Sequence, residues 1–533
     1  MQLQSCLYQM KRCTSCLLLL LFFSSKIFAQ LSFQKSYTFA GDAAGLSGLV
    51  TKDNGYLIVG WNTNGGSGDA DAYLVKTDSL GNIQWTRSFG TAVDDYAFSV
   101  YPTFDGGYIL GCDTYTAAGD DDILLIKIDS AGNLSWTKKY DNGFGGDHIS
   151  NVIQTVDSGF ILIGSTDNVS PCCKSDMYVV RTDMNGNVLW RKSYHGTNNY
   201  EYGMSVQQTA DGNFVLLGTK YDGPILGPFY IWMLKIDDAG IPLWEGTYGE
   251  GTGYFVNKTS DNGFIITGSI SESIALVKTD SSGGVEWEKL FKVDLPNVAY
   301  GNAVEQTGDG SYIITGETGT LGTYDTFLIR TDANGDILWT KCYGGAADDV
   351  SYSVKETADK GFAVFAYTDN FPSGNRSMYL IKTDSSGNSY CNQKNILFRD
   401  TSVSFYAPTV SGLGNVAATP ATPTLQVDSG GVTRNLCFSV GQKEISARRS
   451  NLNLFPNPSG GKFTVHLPEE MKKGKVIVYD IYGEIIFEDQ LLSLTEATIN
   501  LNNPSPGIYF VEVLDGNNSY FQKVVIQNLS GRD

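Results

Sequence analysis

Acidic residues recur at fixed places in this 533-residue chain. Asp71, Asp122, Asp176 and Asp325 each stand five positions before a basic residue, namely Lys76, Lys127, Arg181 and Arg330. Asp95, Asp147, Glu201 and Asp349 form a second set, two of them closing "GTAVDD" (90–95) and "GGAADD" (344–349). Carboxylates gathered in a ring could bind a cationic ligand or calcium, the one cofactor this pattern suggests. The same spacing suits a structural task, in which each carboxylate accepts loop amide hydrogens and fixes the start of a strand. A binding site needs one or two copies, so recurrence in many units favours the structural task.

Other chemistry is sparse. "DANGD" (332–336) lacks the length and distal Glu of a calcium loop and reads as a hairpin turn. "GGSGDAD" (65–71) is a lone nonapeptide-like unit. No G-x-S-x-G, phosphate loop or H-E-x-x-H occurs. Carboxylates are too plentiful for one pair to read as a glycosidase pair. His148 and His195 fall between strand runs and read as surface side chains rather than bases.

A repeat carries these residues. "DSLGNIQWTRSFG" (78–90) returns as "DSAGNLSWTKKYD" (129–141), "DMNGNVLWRKSYH" (183–195) and "DANGDILWTKCYG" (332–344). Six tryptophans, Trp85, Trp136, Trp190, Trp244, Trp287 and Trp339, hold the same slot. A second signature, "GYLIVG" (55–60) to "GFAVFA" (361–366), occurs seven times. Each unit resolves into four strands, A to D, with Asp/Asn/Gly turns joining A to B and C to D. Strands B and C are almost wholly apolar, so both of their faces must be covered. Sheets stacked radially supply that cover, and four strands in about 50 residues, repeated, mark a β-propeller.

The ends of the array predict closure. Aligning Lys35 with Arg87 puts Phe33 in the tryptophan slot of "SFQKSYTF" (32–39). The N-terminal strand is then an orphan D strand that completes the last unit, where Cys391 holds the slot. Seven blades are expected over 30–392. The frame D-x-x-G-x-x-x-W resembles the tryptophan-docking repeat of quinoprotein-type propellers, which implies tryptophans packed between blades. Their quinone contacts and calcium site have no counterpart here. A–B and C–D turns share one rim of the ring; the longer B–C and D–A loops, with both acidic sets, share the other. Function usually sits on such irregular loops. Blade 5 departs most, its B–C loop shrinking to "SISES" (269–273).

The first 29 residues read as a secretory signal peptide: Lys11 and Arg12, then "CLLLLLFF" (16–23), ending at Ala29. Its loss takes the formal charge from −19 to −22, because Lys11, Arg12 and Lys26 leave. Such a chain will not bind nucleic acid through its net field. No later stretch is long and apolar enough to span a membrane. Export permits disulfides, and Cys391 with Cys437, flanking one segment, is the expected pair. No C-x-x-C follows the leader, which argues against zinc.

Residues 393–448 break the repeat and read as a β-rich connector containing "AATPATPT" (417–424). Residues 449–533 alternate as a small β-sandwich does. Four blocks, "FPNPSGG" (455–461), "VYDIYGEII" (478–486), "PGIYFVEV" (506–513) and "KVVIQ" (523–527), closely resemble the type A C-terminal sorting domain of the type IX secretion system. Pro456, Asn457, Pro458, Gly483, Gly507, Tyr509 and Lys523 mark the motif. The resemblance implies the type IX machinery as a partner, and export through the periplasm to the cell surface or medium.

The sequence therefore describes an all-β protein: signal peptide (1–29), seven-bladed β-propeller (30–392), connector (393–448) and sorting domain (449–533). The expected function is a binding or scaffold protein presenting its long-loop rim to a glycan or protein. The alternative is a hydrolase or lyase with its site at the mouth of the ring. A single blade that breaks the repeat with a catalytic constellation would separate the two.

Overall fold

The computed structural model describes residues 30–527 apart from short internal stretches, the longest being 168–174, 402–412, 416–425 and 442–451. The expected leader, 1–29, and Gly483 lie outside the described residues. Among the described residues every regular element is a β-strand. The chain divides into two compact units, one covering 31–439 and one containing 440–533.

In the first unit, seven sheets carry four antiparallel strands in the order A-B-C-D. Blade 1 spans 43–90, blade 2 95–140, blade 3 147–194, blade 4 201–250, blade 5 252–292 and blade 6 298–343. Blade 7 takes A to C from 349–383 and its D strand from Gln30–Thr38, which pairs with Ser377–Thr383. Phe33 lies opposite Lys382, the register that Trp85 holds opposite Lys76. Each A strand packs on the A strand of the next blade, and that of blade 7 packs on that of blade 1. The A strands thus form the inner circle of a closed propeller.

Apolar clusters fill each gap between blades. Ile109, Ile123 and Leu125 of blade 2 meet Ile149, Val152 and Phe160 of blade 3, with Trp136 against them. Each repeat tryptophan also covers the C–D turn of the following blade. A Cβ on Gly132 would come within 2.9 Å of the Trp85 ring, and one on Gly81 within 2.7 Å of the Phe33 ring. These turn glycines have φ near +75°, where a side chain is strained as well as crowded.

The short-loop rim carries an ion pair in every blade. The A–B turn acids Asp53, Asp105, Asp157, Asp211, Asp261, Asp309 and Asp359 bind Lys76, Lys127, Arg181, Lys235, Lys278, Arg330 and Lys382, all within 2.9 Å. The repeated basic residue of strand C is therefore partnered on this rim, away from the acidic sets.

After blade 7 the chain visits the outer edges of other blades. Gln393–Lys394 pairs with blade 6, Arg399–Thr401 with blade 5, Leu413–Asn415 with blade 3 and Gln426–Asp428 with blade 1. Val432–Gly441 lies beside Gln30–Thr38 in blade 7. Cys391 is disulfide-bonded. Its expected partner, Cys437, belongs to Val432–Gly441, whose side chains are outside the described set.

The second unit is a β-sandwich. A three-stranded sheet (Asn453–Phe455, Lys462–Met471, Leu494–Asn500) accompanies a four-stranded one (Ile485–Leu491, Gly474–Tyr479, Gly507–Asp515, Asn518–Ile526). Phe463, Val465, Val476, Val478, Val511 and Val524 belong to the core between them.

Candidate functional site at the long-loop mouth

The structure places the predicted acids inside the long-loop rim. Asp71, Asp95, Asp122, Asp147, Asp176, Glu201 and Asp349 are buried, and Asp325 is half-buried against Lys394. Several accept loop amides. Thr91 N donates to Asp95 at 2.6 Å, Asn142 N to Asp147 at 2.8 Å and Gly345 N to Asp349 at 3.0 Å. Burial pushes the Asp147 and Asp349 carboxyls up to about 7, and the neighbouring charges of Asp122 and Asp325 add to it.

Asp122, Asp141 and Asp147 bring carboxylate oxygens within 4.8 Å of one another, close enough to hold a metal ion. Lys139 already binds Asp122 at 2.5 Å, and both nitrogens of Asn142 donate to Asp147 at 2.8 Å. The chain's own donors therefore satisfy most of this donor set, which fits calcium poorly.

Other residues reach the mouth, and the sequence reading missed them. Every A strand has a β-bulge two to four residues into its length. The extra residues are Leu46, Phe98, Ser150, Met204, Tyr254, Asn302 and Tyr352. All are at least partly exposed although their strand neighbours are largely buried. They stand on the inner circle of strands, and Ser150 Oγ touches Met204 Sδ at 3.9 Å across two blades. Bulges re-aim side chains in this way. The available signal was the glycine ending most copies of the B-strand signature. A Cβ on Gly164 would lie 1.8 Å from the His148 carbonyl, so the A strand can approach only a glycine there.

The residue two before each bulge, with the B-strand residue opposite, varies from blade to blade. The pairs are Ala44/Trp61, Tyr96/Asp113, His148/Ser165, Tyr202/Thr219, Thr252/Ser269, Tyr300/Glu317 and Val350/Tyr367. Blades 1 and 2 contribute an aromatic run. Tyr96 stands edge-on to Trp61 and to Tyr115, each at 5.6 Å between centroids.

Blade 3 alone puts a histidine in this frame. His148 Nδ1 lies 3.2 Å from Asp113 Oδ2, and Nε2 lies 3.4 Å from Asp121 Oδ2. The Ile149 backbone N–H also donates to Asp113, at 2.8 Å. The hydrogen bond with Asp113 raises the imidazole pKa against the opposing effect of burial. His148 is thus an oriented imidazole bridged by two acids.

In blade 5, Ser271 and Glu272 form a two-residue turn with both φ values positive, the geometry of a tight hairpin. The Ala299 N–H donates to the Glu272 carbonyl at 3.0 Å, which ties this short loop to blade 6.

In the sandwich, Asn457 clamps the last strand. Its Nδ2 donates to the Lys523 carbonyl at 2.9 Å, and its Oδ1 accepts the Val525 N–H at 2.9 Å. Ser459 N donates to the Val525 carbonyl, and the Tyr509 hydroxyl to the Ser505 carbonyl, both at 2.8 Å. The "FPNP" and "KVVIQ" blocks are therefore two halves of one backbone lock.

Comparison with known proteins agrees with this module. Residues 453–527 match the Secretion system C-terminal sorting domain family. The chain carries a type IX sorting tail and is exported to the cell surface or medium. It is 31% identical over 89 residues to an endo-acting ulvan lyase of Formosa agariphila, a match spanning 17% of each protein. Among solved structures it resembles a puromycin hydrolase mutant (13% identity, TM-score 0.45, 68% of this chain and 54% of that one). It also resembles the Dos1 propeller (11%, TM-score 0.38, 63% and 77%). The propeller architecture rests on the strand pairing itself. No helix among the described residues is long and apolar enough to cross a membrane.

Proposed function

We propose that this exported propeller is a binding protein whose ligand docks at the long-loop mouth. The observation that carries the reading is the contrast within each blade. The frame outside the mouth repeats, whereas the pairs beside the bulges differ in every blade and supply aromatic rings and carboxylates. A rigid scaffold with blade-specific side chains at one opening suits ligand recognition. The mouth is acidic and aromatic, which favours a neutral or cationic ligand over a polyanion.

A second reading has its own support. His148 breaks the repeat in one blade only and is oriented by Asp113, as a general base would be. In that reading the protein is a hydrolase or lyase. We also propose that Cys391 pairs with Cys437, joining the end of the propeller segment to the connector's last strand.

Purified protein assayed against polysaccharide and peptide panels separates the readings. Binding without turnover, weakened by Trp61→Ala and Tyr96→Ala, supports the first. Turnover that disappears in His148→Asn establishes the second and overturns the first.

A further inference from the structure

Asp113 of blade 2 and Glu317 of blade 6 occupy the same place in their blades. Each lies opposite a tyrosine of its own A strand, Tyr96 or Tyr300. Each also precedes a threonine, Thr114 or Thr318, that pairs with the residue just before that tyrosine. The surroundings differ. Asp113 receives the His148 imidazole from the A strand of the next blade. At the position of His148, the A strand next to Glu317 carries Val350. Glu317 is half-buried, and its carboxylate has neither a hydrogen bond nor an ion pair among the described residues.

Tyr300 lies directly opposite Glu317, and the Tyr352 and Tyr367 rings of the next blade stand 6.3 Å apart between centroids. Burial raises the phenol pKa of Tyr300, Tyr324, Tyr352 and Tyr367, and the negative charge of Glu317 raises all four further. Four phenols from two blades therefore share the field of one carboxylate. Asp348 stands alongside, its Oδ1 accepting the Tyr324 N–H at 2.9 Å. Burial and the Asp348 charge push the Glu317 carboxyl up to about 7, as expected where no cation offsets it. Arg376 is engaged elsewhere: its guanidinium holds Asp369 at 2.9 and 3.0 Å and covers the Tyr367 ring at 4.0 Å. One tyrosine of the set already receives a guanidinium on its face.

We infer that Glu317 and its tyrosines form a seat for a cationic group, an ammonium or guanidinium, brought by a peptide side chain or a small amine. The carboxylate pairs with the charge, and the rings cover it by cation–π contact. The Asp113–His148 pair is the internal version of the same arrangement. The inference rests on the reading that the long-loop mouth binds a ligand and gives that ligand a chemical class.

The test titrates the full exported chain with four probes, followed by tyrosine fluorescence and calorimetry. They are a lysine-containing peptide, its arginine counterpart, its norleucine counterpart, and free cadaverine. The lysine and arginine peptides should bind, the norleucine peptide should not, and added salt should weaken binding. Cadaverine binding as well as the peptides assigns a small-amine site; peptide binding alone assigns a peptide site. Glu317→Gln should lower affinity at least tenfold. Val350→His, which rebuilds the blade 2–3 pair, should compete with the ligand and do the same. Equal binding of the norleucine peptide, or unchanged affinity in Glu317→Gln, overturns the inference. If no cation binds while a neutral oligosaccharide does so in a Trp61-dependent way, the Glu317 seat falls and the mouth reading stands. If nothing binds, both fall.

Discussion

The Tyr37 hydroxyl donates a 2.9 Å hydrogen bond to the carbonyl of Gly81, joining the N-terminal strand to the C–D turn of blade 1. The bond is buried, and burial holds the phenol far above its ordinary pKa, so it stays a donor. Tyr140 and Gly186, Tyr194 and Gly240, and Tyr248 and Gly283 repeat it between successive blades. Between blades 7 and 1 the same contact closes the ring.

Closure should be sensitive at this contact. Tyr37→Phe leaves the Gly81 carbonyl without its hydroxyl donor and should cost about 1–2 kcal/mol. Gly81→Ala places a Cβ at φ +71° against Phe33 and should cost at least about 1 kcal/mol. Urea denaturation of each variant measures this. Unchanged midpoints would mean that the N-terminal strand does not hold the ring shut.

The ion pair of blade 7 should matter more than a surface pair. Lys382 is buried and its partner Asp359 is only partly exposed. Asp359→Ala strands the ammonium and should destabilise by about 3 kcal/mol. Asp336→Ala, at the exposed pair with Lys289, should cost less than about 1 kcal/mol. Equal losses would contradict the assignment.

Stability should peak on the acid side of neutrality. The Asp147 and Asp349 carboxyls are raised to about 7, against about 4 in an unfolded chain. Their contribution is complete below pH 4 and is lost as the pH rises through 7. Asp105, Asp261 and Asp309 are held near 2 by side-chain and backbone hydrogen bonds and the charge of their basic partners, against opposing burial. Their contribution is present above pH 4 and is lost as the pH falls through 2. Tm should therefore be higher at pH 5.5 than at 8.5. Asp349→Asn keeps an acceptor for Gly345 but cannot ionise, so it should narrow that gap. A gap of unchanged size would remove Asp349 from the explanation.

The sorting tail should act as a folded unit. Deleting 449–533 should leave the protein in the periplasm. Asn457→Ala removes two of the bonds that hold the last strand and should reduce the amount reaching the surface. Immunoblotting of surface, medium and periplasmic fractions reads both variants. Wild-type surface levels after the deletion would contradict a sorting role.

Much of this was legible in the sequence. Phe33 in the tryptophan slot predicted the strand that completes blade 7, and the pairing with Ser377–Thr383 has that register. The four C-terminal blocks named the sorting domain. These signals are local: turn glycines, apolar alternation and a large ring once per unit recur because each blade solves the same packing problem.

The mouth was not legible in the same way. Carboxylates repeated at fixed spacing drew attention, and the fold buries most of them, with Asp95, Asp147 and Asp349 accepting loop amides. The bulge residues carry no common residue type, and one extra residue in a strand does not disturb the repeat. The connector strands are two or three residues long in most cases, too short for periodicity to reveal which blade edge each one joins.

By itself the sequence determined the blade, its count of strands, the closing strand and the exported tail. Those follow from interactions within a repeat or between a repeat and its neighbour. Only the tertiary structure decided that Asp113 meets His148 while its counterpart Glu317 lies opposite Tyr300, next to a blade that carries Val350 in the histidine's place. That difference depends on which side chains two separate blades bring to one side of a shared gap, and no spacing along the chain encodes it.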